Sequence, residues 1–148
     1  MNILIAEDDE QIAESLRKNF AEEGNPVMIA KDGKEAIRLS DSILFDIILL
    51  DWRMPEISGI EVCRQIRESG NKVPIILLTA LSQVKNKIEA LNFGADDYVT
   101  KPFSFEELTA RMKAVIRRYQ DNTNELIFNE IQMDLISQPL KTQISFGE

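Results

Sequence analysis

Five short apolar runs recur along the chain, and each is separated from the next by a segment with helical spacing. The runs cover residues 3–6, 27–30, 47–50, 75–78 and 98–99. Because they are mostly continuous rather than alternating in polarity, they predict strands of a parallel sheet that is covered by helices on both faces. Apolar residues three or four positions apart in the intervening segments predict a helix between successive strands.

Cap and stop residues give approximate limits to the predicted helices. The first is expected over about 9–23, with Gly24 as its stop signal. The last is expected to begin after Ser104, which can form a capping box with Glu107. The predicted fold is therefore α/β, a doubly wound, five-stranded parallel sheet of strand order 2-1-3-4-5 with five helices, in the flavodoxin-like arrangement, over residues 1–120.

The composition excludes several kinds of site. The 148 residues carry a net charge of −8 and include no histidine and one cysteine, Cys63. Zinc sites of the usual kind, an imidazole base and an internal disulfide are thereby excluded. An acidic chain is repelled by phosphate backbones, so nucleic-acid binding by these residues alone is not expected. The first apolar run is too short for a signal peptide or a membrane span, which predicts a cytoplasmic protein with no membrane partner.

Four of the apolar runs end in side chains that can carry chemistry. These side chains are Glu7 and Asp8, Asp51, Thr79 and Lys101. In open parallel sheets ligands bind outside the carboxyl ends of the strands, where the strand order reverses, so Glu7 and Asp8 are expected beside Asp51. Three carboxylates on one rim repel one another unless a cation lies among them or one stays protonated. Oxygen ligands favour Mg²⁺ over zinc or copper, and the sequence therefore predicts a magnesium site.

Asp51 is the predicted nucleophile, because it ends a run between the acidic pair, Thr79 and Lys101. A carboxylate that attacks phosphorus forms an acyl phosphate. Lys101 supplies a positive charge for a phosphoryl oxygen, and Thr79 supplies a hydroxyl donor. Each acid taken singly has a structural explanation, since Asp8 or Asp9 can cap the first helix. The prediction depends on the whole set.

The chain resembles the receiver domain of two-component response regulators. The resemblance lies in the stretches ILIAEDD at 3–9, DWRMPEISG at 51–59, LTA at 78–80 and GADDYVTKPF at 94–103. It implies that a sensor histidine kinase phosphorylates Asp51. It also implies that the protein is not an enzyme but a phosphoacceptor that assists its own phosphorylation and dephosphorylation. The Lys101–Pro102 bond is expected to be cis, as it usually is in this family.

The same resemblance implies roles for single residues around the site. Asp8 is expected to bind Mg²⁺ directly and Glu7 mostly through water, with the backbone carbonyl of Arg53 as a further ligand. Thr79 and Tyr98 are expected to form a switch pair. In that pair the hydroxyl moves toward the phosphoryl group and the aromatic ring turns inward.

Within the family the chain resembles regulators of the OmpR/PhoB type. That resemblance implies a two-fold homodimer of the phosphorylated protein through helix 4, strand 5 and helix 5, with the pairs Lys87 and Glu107, Asp97 and Arg111, and Asp96 and Arg118. The polar stretch after Arg118 predicts a linker over 121–125, and the apolar residues from Leu126 to Leu135 predict two short strands. The resemblance implies that 126–148 is the truncated start of a winged-helix DNA-binding domain. DNA binding and control of transcription are thus expected only for a longer protein.

Three other functions are considered. A free-standing receiver could pass phosphate along a relay or act on a protein partner. A phosphohydrolase of the haloacid dehalogenase type usually has a second aspartate two residues after its nucleophile, where this chain has Arg53. A flavodoxin-like FMN carrier needs a phosphate-binding loop after the first strand, where Glu7 and Asp8 instead carry negative charge.

Overall fold

The structure is a computed structural model that describes residues 1–80 and 84–137. Strands and helices alternate along the chain from the first strand to the last helix. The strands are β1 (Ile3–Ala6), β2 (Val27–Ala30), β3 (Ile47–Asp51), β4 (Ile75–Thr79) and β5 (Asp97–Thr100). The helices are α1 (Glu10–Glu22), α2 (Gly33–Ser42), α3 (Gly59–Glu68), α4 (Val84–Asn92) and α5 (Phe105–Ser137).

The five strands form one parallel sheet in the order β2-β1-β3-β4-β5, which confirms the predicted topology. The strand order reverses between β1 and β3, so the carboxyl ends of these two neighbours flank the crevice that open sheets use for ligands. In the register, Ala6 pairs with Leu50 and Asp51 pairs with Leu78. The residue after β1 and the last residue of β3 are thereby brought to the same edge.

Two apolar clusters cover the two faces of the sheet. Ile3, Ile5 and Leu49 point to the cluster that contains residues of α1 and α5. Leu4 and Leu50 belong to the other cluster, which contains residues of α2, α3 and α4. Because successive side chains of a strand face opposite sides, burial on both faces requires the continuous apolar runs seen in the sequence.

Local side-chain chemistry defines the helix starts. Asp9 caps α1 by accepting from the backbone N–H groups of Gln11 and Ile12, so the capping role falls to Asp9 and not to Asp8. At α5 the backbone N–H of Glu107 donates to the Ser104 hydroxyl at 3.0 Å, as expected for one half of a capping box.

The start of α3 lies directly against the end of β3. The Gly59 N–H donates to the Trp52 carbonyl at 2.8 Å. A Cβ atom on Gly59 would lie 2.2 Å from the carbonyl oxygen of Asp51, closer than any side chain can approach. Glycine is therefore required here by the close passage of the two backbones.

The chain divides into two compact units, Met1–Ile116 and Arg117–Glu148. In the second unit residues 117–137 are helical, so the predicted strands at 126–135 are wrong and 121–125 is not an extended linker. A strand needs a neighbour for its backbone groups, whereas a helix satisfies them internally, and in the described residues no strand pairs with this segment. The assignment of 126–148 to an effector domain stays a prediction, and residues 138–148 lie outside the described part.

None of the helices within the described ranges is both long and apolar enough to cross a membrane. The long α5 carries many charged residues along its sequence. Its second half instead exposes large apolar side chains, among them Leu126, Phe128, Met133 and Ile136.

Candidate functional site

Three predicted acids lie together at the carboxyl edge of the sheet. Glu7 and Asp8 follow β1, and Asp51 is the last residue of β3. Each offers a carboxylate oxygen, and these three oxygens all lie within 4.8 Å of one another. Glu7 is 2% exposed and Asp51 is 8% exposed, whereas Asp8 is open to solvent. The structure thus brings the predicted metal ligands into one cluster that is reached from the side of Asp8.

Lys101 joins two of these acids. Its ammonium Nζ donates to Glu7 Oε1 at 3.1 Å and to Asp51 Oδ1 at 3.3 Å. Burial works against the charged lysine, but the hydrogen bond to Glu7 and the two carboxylates together raise the Lys101 pKa above its usual value. The lysine is therefore held as a cation between the two buried carboxylates. The Lys101–Pro102 bond is cis, as predicted.

Ionisation of Glu7 is disfavoured in this cluster. Burial, together with the neighbouring Asp51 carboxylate, raises the pKa of Glu7 to about 8, although Lys101 acts in the opposite direction. The second oxygen of Glu7, Oε2, is buried and has no hydrogen-bond partner among the described residues. A buried carboxylate oxygen without a hydrogen-bond donor is costly, so Glu7 either keeps a proton in this cluster or requires a further cation beside it.

The cluster fits a hard divalent cation. Its ligand atoms are all oxygens, and the buried Glu7 carboxyl has one oxygen, Oε2, that accepts no hydrogen bond from the described residues. Mg²⁺ prefers a few carboxylates together with waters and a phosphate oxygen, and the exposed side chain of Asp8 leaves room for such additional ligands. The residues that would hold the ion are Glu7, Asp8 and Asp51.

The remaining predicted site residues lie around this cluster. Thr79 ends β4 and is 2% exposed, and its carbonyl accepts from the Lys101 N–H at 2.7 Å. Arg53 lies two residues after Asp51, in the loop between β3 and α3, and its side chain is exposed. In the same loop Glu56 has a φ of 68°, an uncommon backbone conformation for a residue with a side chain.

Tyr98 lies in the edge strand β5, half-buried against the apolar cluster of α2, α3 and α4. The ammonium of Lys87, from α4, lies over its ring at 5.0 Å from the ring centroid. This distance is within the range of an attractive cation–π contact. The two residues belong to different predictions, a switch and a dimer face, and the structure brings them together.

Two acids of the predicted dimer face, Asp96 and Asp97, are paired with arginines of the same chain. Asp97 accepts from Arg111 at 3.3 Å, so this predicted pair forms within one protomer. Asp96 pairs with Arg67 of α3 at 3.0 Å, whereas its predicted partner Arg118 belongs to the second unit. Glu107 is exposed at the start of α5.

Arg67 was not found by sequence reasoning. Its guanidinium donates to the carbonyls of Gly94 and Asn71, at 2.9 and 3.0 Å, and to the Asp96 carboxylate at 3.0 Å. Asp96 also accepts from the backbone N–H of Ile75 at 2.8 Å. A basic residue in the last turn of a helix is common, and nothing in the spacing of the sequence indicates these distant partners.

A family model described as the response regulator receiver domain matches residues 3–113. Relatives include the response regulator MprA of Mycolicibacterium vanbaalenii, which is 41% identical over all of this chain, and MprA of Mycobacterium avium, which is 39% identical. The chain covers 64% and 65% of these two proteins, which is slightly less than two thirds of their length.

Solved structures agree with this match. The receiver domain of a Francisella response regulator is 41% identical, with a TM-score of 0.76, over 80% of this chain and 98% of the other. The response regulator TrrA of Thermotoga maritima, solved in complex with Mg²⁺ and BeF, is 38% identical, with a TM-score of 0.70, over 77% of this chain and 97% of the other.

These matches cover the sheet, all five strand ends and the acidic cluster. They favour the receiver interpretation over the dehalogenase-type and FMN-binding alternatives, which share parts of the topology or chemistry but not the set of motifs. The chain belongs to the response regulator receiver domain family of two-component systems.

Proposed function

We propose that Asp51 accepts a phosphoryl group from a phosphohistidine of a sensor histidine kinase, with Mg²⁺ as the cofactor. Phosphorylation then promotes a two-fold dimer through α4, β5 and α5. In a longer protein this dimer controls DNA binding and transcription, as the resemblance to OmpR/PhoB-type regulators implies. The protein acts in the cytoplasm and is a phosphoacceptor rather than an enzyme with an external substrate.

The observation that carries this proposal is the crowding of acids around Asp51. Three carboxyl groups lie around the Lys101 ammonium, and the buried Glu7 Oε2 has no hydrogen-bond partner among the described residues. A purely structural cluster of acids gains nothing from such an arrangement, because an unpaired buried carboxylate destabilises the fold. A site that binds a cation and then a phosphoryl group uses it. The Mg²⁺–BeF complex of the Thermotoga maritima relative supports the same chemistry.

Asp51, Lys101 and Thr79 each have a separate part in the phosphoryl transfer. A carboxylate oxygen of Asp51 attacks phosphorus, the P–O bond forms, and the P–N bond to the kinase histidine breaks. The leaving imidazole keeps the electron pair of that bond and takes up a proton. Lys101, already 3.3 Å from Asp51, donates to a phosphoryl oxygen. The Thr79 hydroxyl donates to another. Mg²⁺ supplies positive charge that offsets the repulsion between the two anions.

Asp51→Asn tests the phosphoacceptor. After treatment with acetyl phosphate and Mg²⁺, intact-mass spectrometry is expected to show one added phosphoryl group on the wild type and none on the variant. Asp8→Asn is expected to reduce the rate at least tenfold at limiting Mg²⁺. Asp9→Asn is the matched control, because asparagine is as good a helix cap as aspartate and the residue is not a proposed ligand. Full phosphorylation of Asp51→Asn rejects the proposal.

Arg111→Glu tests the dimer face. In the proposed dimer Arg111 pairs with Asp97 of the second copy, so the change places two acids opposite each other across the interface, and like charges repel. Sedimentation velocity after activation by beryllofluoride and Mg²⁺ is expected to show a dimer for the wild type and a dimer weakened at least tenfold for the variant. The exchange Asp97→Arg with Arg111→Glu is expected to restore part of the association.

Arg38→Glu, at an exposed position of α2, serves as the control for the same charge change. An activated wild type that stays monomeric at all concentrations contradicts the dimer and favours a free-standing receiver that acts in a relay.

A further inference from the structure

The contact between Lys87 and Tyr98 joins two parts of the proposed function. Tyr98 is the aromatic residue of the proposed switch, and Lys87 is one of the charges of the proposed dimer face. The lysine ammonium lies 5.0 Å from the centroid of the tyrosine ring. Both side chains are half-buried, so the contact is partly shielded from water and is stronger than one on an open surface.

The position of the ring decides where the ammonium goes. The face of an aromatic ring is electron-rich and attracts a cation, whereas its edge is weakly positive and does not. The lysine stem has four flexible carbons, so the ammonium can follow the ring or leave it for another partner. When the ring turns inward, its face is withdrawn and the lysine loses this contact.

The other charges of the face differ from Lys87 in their partners. Asp97 is held by Arg111 and by the backbone N–H of Tyr98, and Asp96 is held by Arg67, and none of these contacts involves the Tyr98 ring. Among the predicted interface charges in the described part of the chain, the ring contact of Lys87 is the one that phosphorylation is expected to change directly.

We propose that Tyr98 holds Lys87 in the unphosphorylated protein and thereby opposes dimerisation, and that inward rotation of the ring releases Lys87 to pair with Glu107 of a second copy. This inference rests on the proposed function, since it takes the switch and the dimer from it. It adds an autoinhibitory contact whose strength sets how much dimer forms without phosphate.

The direct readout is the NMR signal of the Lys87 ε-methylene group, assigned with Lys87→Arg. A proton over an aromatic face is shifted upfield, so in the unphosphorylated protein this signal is expected upfield of that of Lys85, an exposed lysine of the same helix. Tyr98→Phe is expected to keep the shift, because it keeps the ring, and Tyr98→Leu is expected to abolish it. Beryllofluoride with Mg²⁺ is expected to move the signal to the Lys85 position.

The second readout is association of the unphosphorylated protein. Tyr98→Leu is expected to strengthen it about fivefold, or about 1 kcal/mol at 1.4 kcal/mol per factor of ten, because two ring contacts per dimer no longer need to be broken. Tyr98→Phe is expected to leave it unchanged. Circular dichroism and thermal unfolding check that both variants fold, and the NMR test in the wild type does not depend on either.

The outcomes separate this inference from the proposed function. The fluorescence of Trp52, the residue after Asp51, reports loading of the site. If Trp52 responds and the activated protein dimerises but the Lys87 signal stays upfield, the autoinhibitory contact is rejected and the proposed function stands. If the Lys87 signal shows no upfield shift at rest, the inference is likewise rejected. If Trp52 does not respond and no phosphate is taken up, both are rejected.

Discussion

Two ion clusters in this domain use similar groups in opposite ways. At the carboxyl edge of the sheet, the acids Glu7, Asp8 and Asp51 lie together, and Lys101 pairs with Glu7 and Asp51. Among the described residues Glu7 Oε2 has no hydrogen-bond partner. Near the amino ends of β4 and β5, Arg67 and Asp96 pair one to one, and both also bond to backbone groups.

This difference in charge balance indicates a different role for each cluster. In the Arg67 cluster each charge meets an opposite charge and the surrounding backbone donors and acceptors are used, which ties α3 to the loops before β4 and β5. In the Asp51 cluster burial and the Asp51 carboxylate favour the protonated form of Glu7, so ionising all three acids is costly without a further cation. Such an unfavourable grouping of acids is typical of sites that bind a ligand, because the bound ligand offsets its electrostatic cost.

The largest expected difference is in pH dependence. The Glu7 pKa is raised to about 8 in the folded protein from 4.5, so folding favours the protonated carboxyl. The stability from this group is fully present below about pH 4.5 and is lost as pH rises toward about 8, by at most about 1.4 kcal/mol per pH unit. Urea unfolding in metal-free buffer measures this slope.

Millimolar Mg²⁺ is expected to flatten that slope, because the ion stabilises the ionised acids of the folded state. A slope that is the same with and without Mg²⁺ would show that the acidic cluster does not bind the ion.

The second largest expected effect is the loss of stability when Arg67 is replaced. Arg67→Met removes the donor for two carbonyls and for the Asp96 carboxylate, and the expected loss is about 2 kcal/mol in urea unfolding, since both charges are partly shielded. Arg67→Lys is expected to recover only part, because one ammonium cannot reach three acceptors in different directions.

Arg64→Met is the matched control on the same helix. Arg64 pairs with Glu61 and Glu68 of α3 itself, and these pairs are open to solvent, so its removal is expected to cost much less stability than removal of Arg67. Equal losses for Arg64 and Arg67 would show that the Arg67 cluster has no special structural role.

The smallest expected effect is the change in stability when one aspartate of each cluster is replaced by asparagine. Asp51→Asn removes a carboxylate that raises the Glu7 pKa, which lowers the cost of burying Glu7 at pH 7, while Lys101 keeps its contact with Glu7. The metal-free protein is therefore expected to be stabilised by about 1 kcal/mol. Asp96→Asn weakens the pair with Arg67 while keeping an acceptor for Ile75, so it is expected to destabilise by about 1 kcal/mol. Opposite signs support the contrast between the clusters, and equal signs break it.

Much of the Asp51 cluster could be predicted from the sequence. Burial of the sheet on both faces leaves continuous apolar runs, and Asp51 and Thr79 stand at or directly after the ends of such runs. In a parallel sheet those ends meet at one edge, so the order and spacing of these residues in the sequence are enough to predict that they lie together. The buried state of Glu7 could not be predicted in this way, because it depends on how closely the helices and loops cover that edge.

The Arg67 cluster and the second unit show where sequence reasoning fails. Arg67 and Asp96 are 29 residues apart, and no local period connects a helix end to a loop before another strand. For residues 126–137 the alternation of apolar and polar side chains predicted strands, but pairing depends on a neighbouring strand. Where the described residues provide none, hydrogen bonding within a helix determines the structure.

Gly59 has a consequence for how such a pocket can vary. The backbone at the start of α3 passes too close to the Asp51 carbonyl to admit a Cβ, so a larger residue at position 59 would displace β3 or α3. Arg53 lies in the same connection between β3 and α3, but it is exposed. Variation next to Asp51 is therefore easier at position 53 than at position 59.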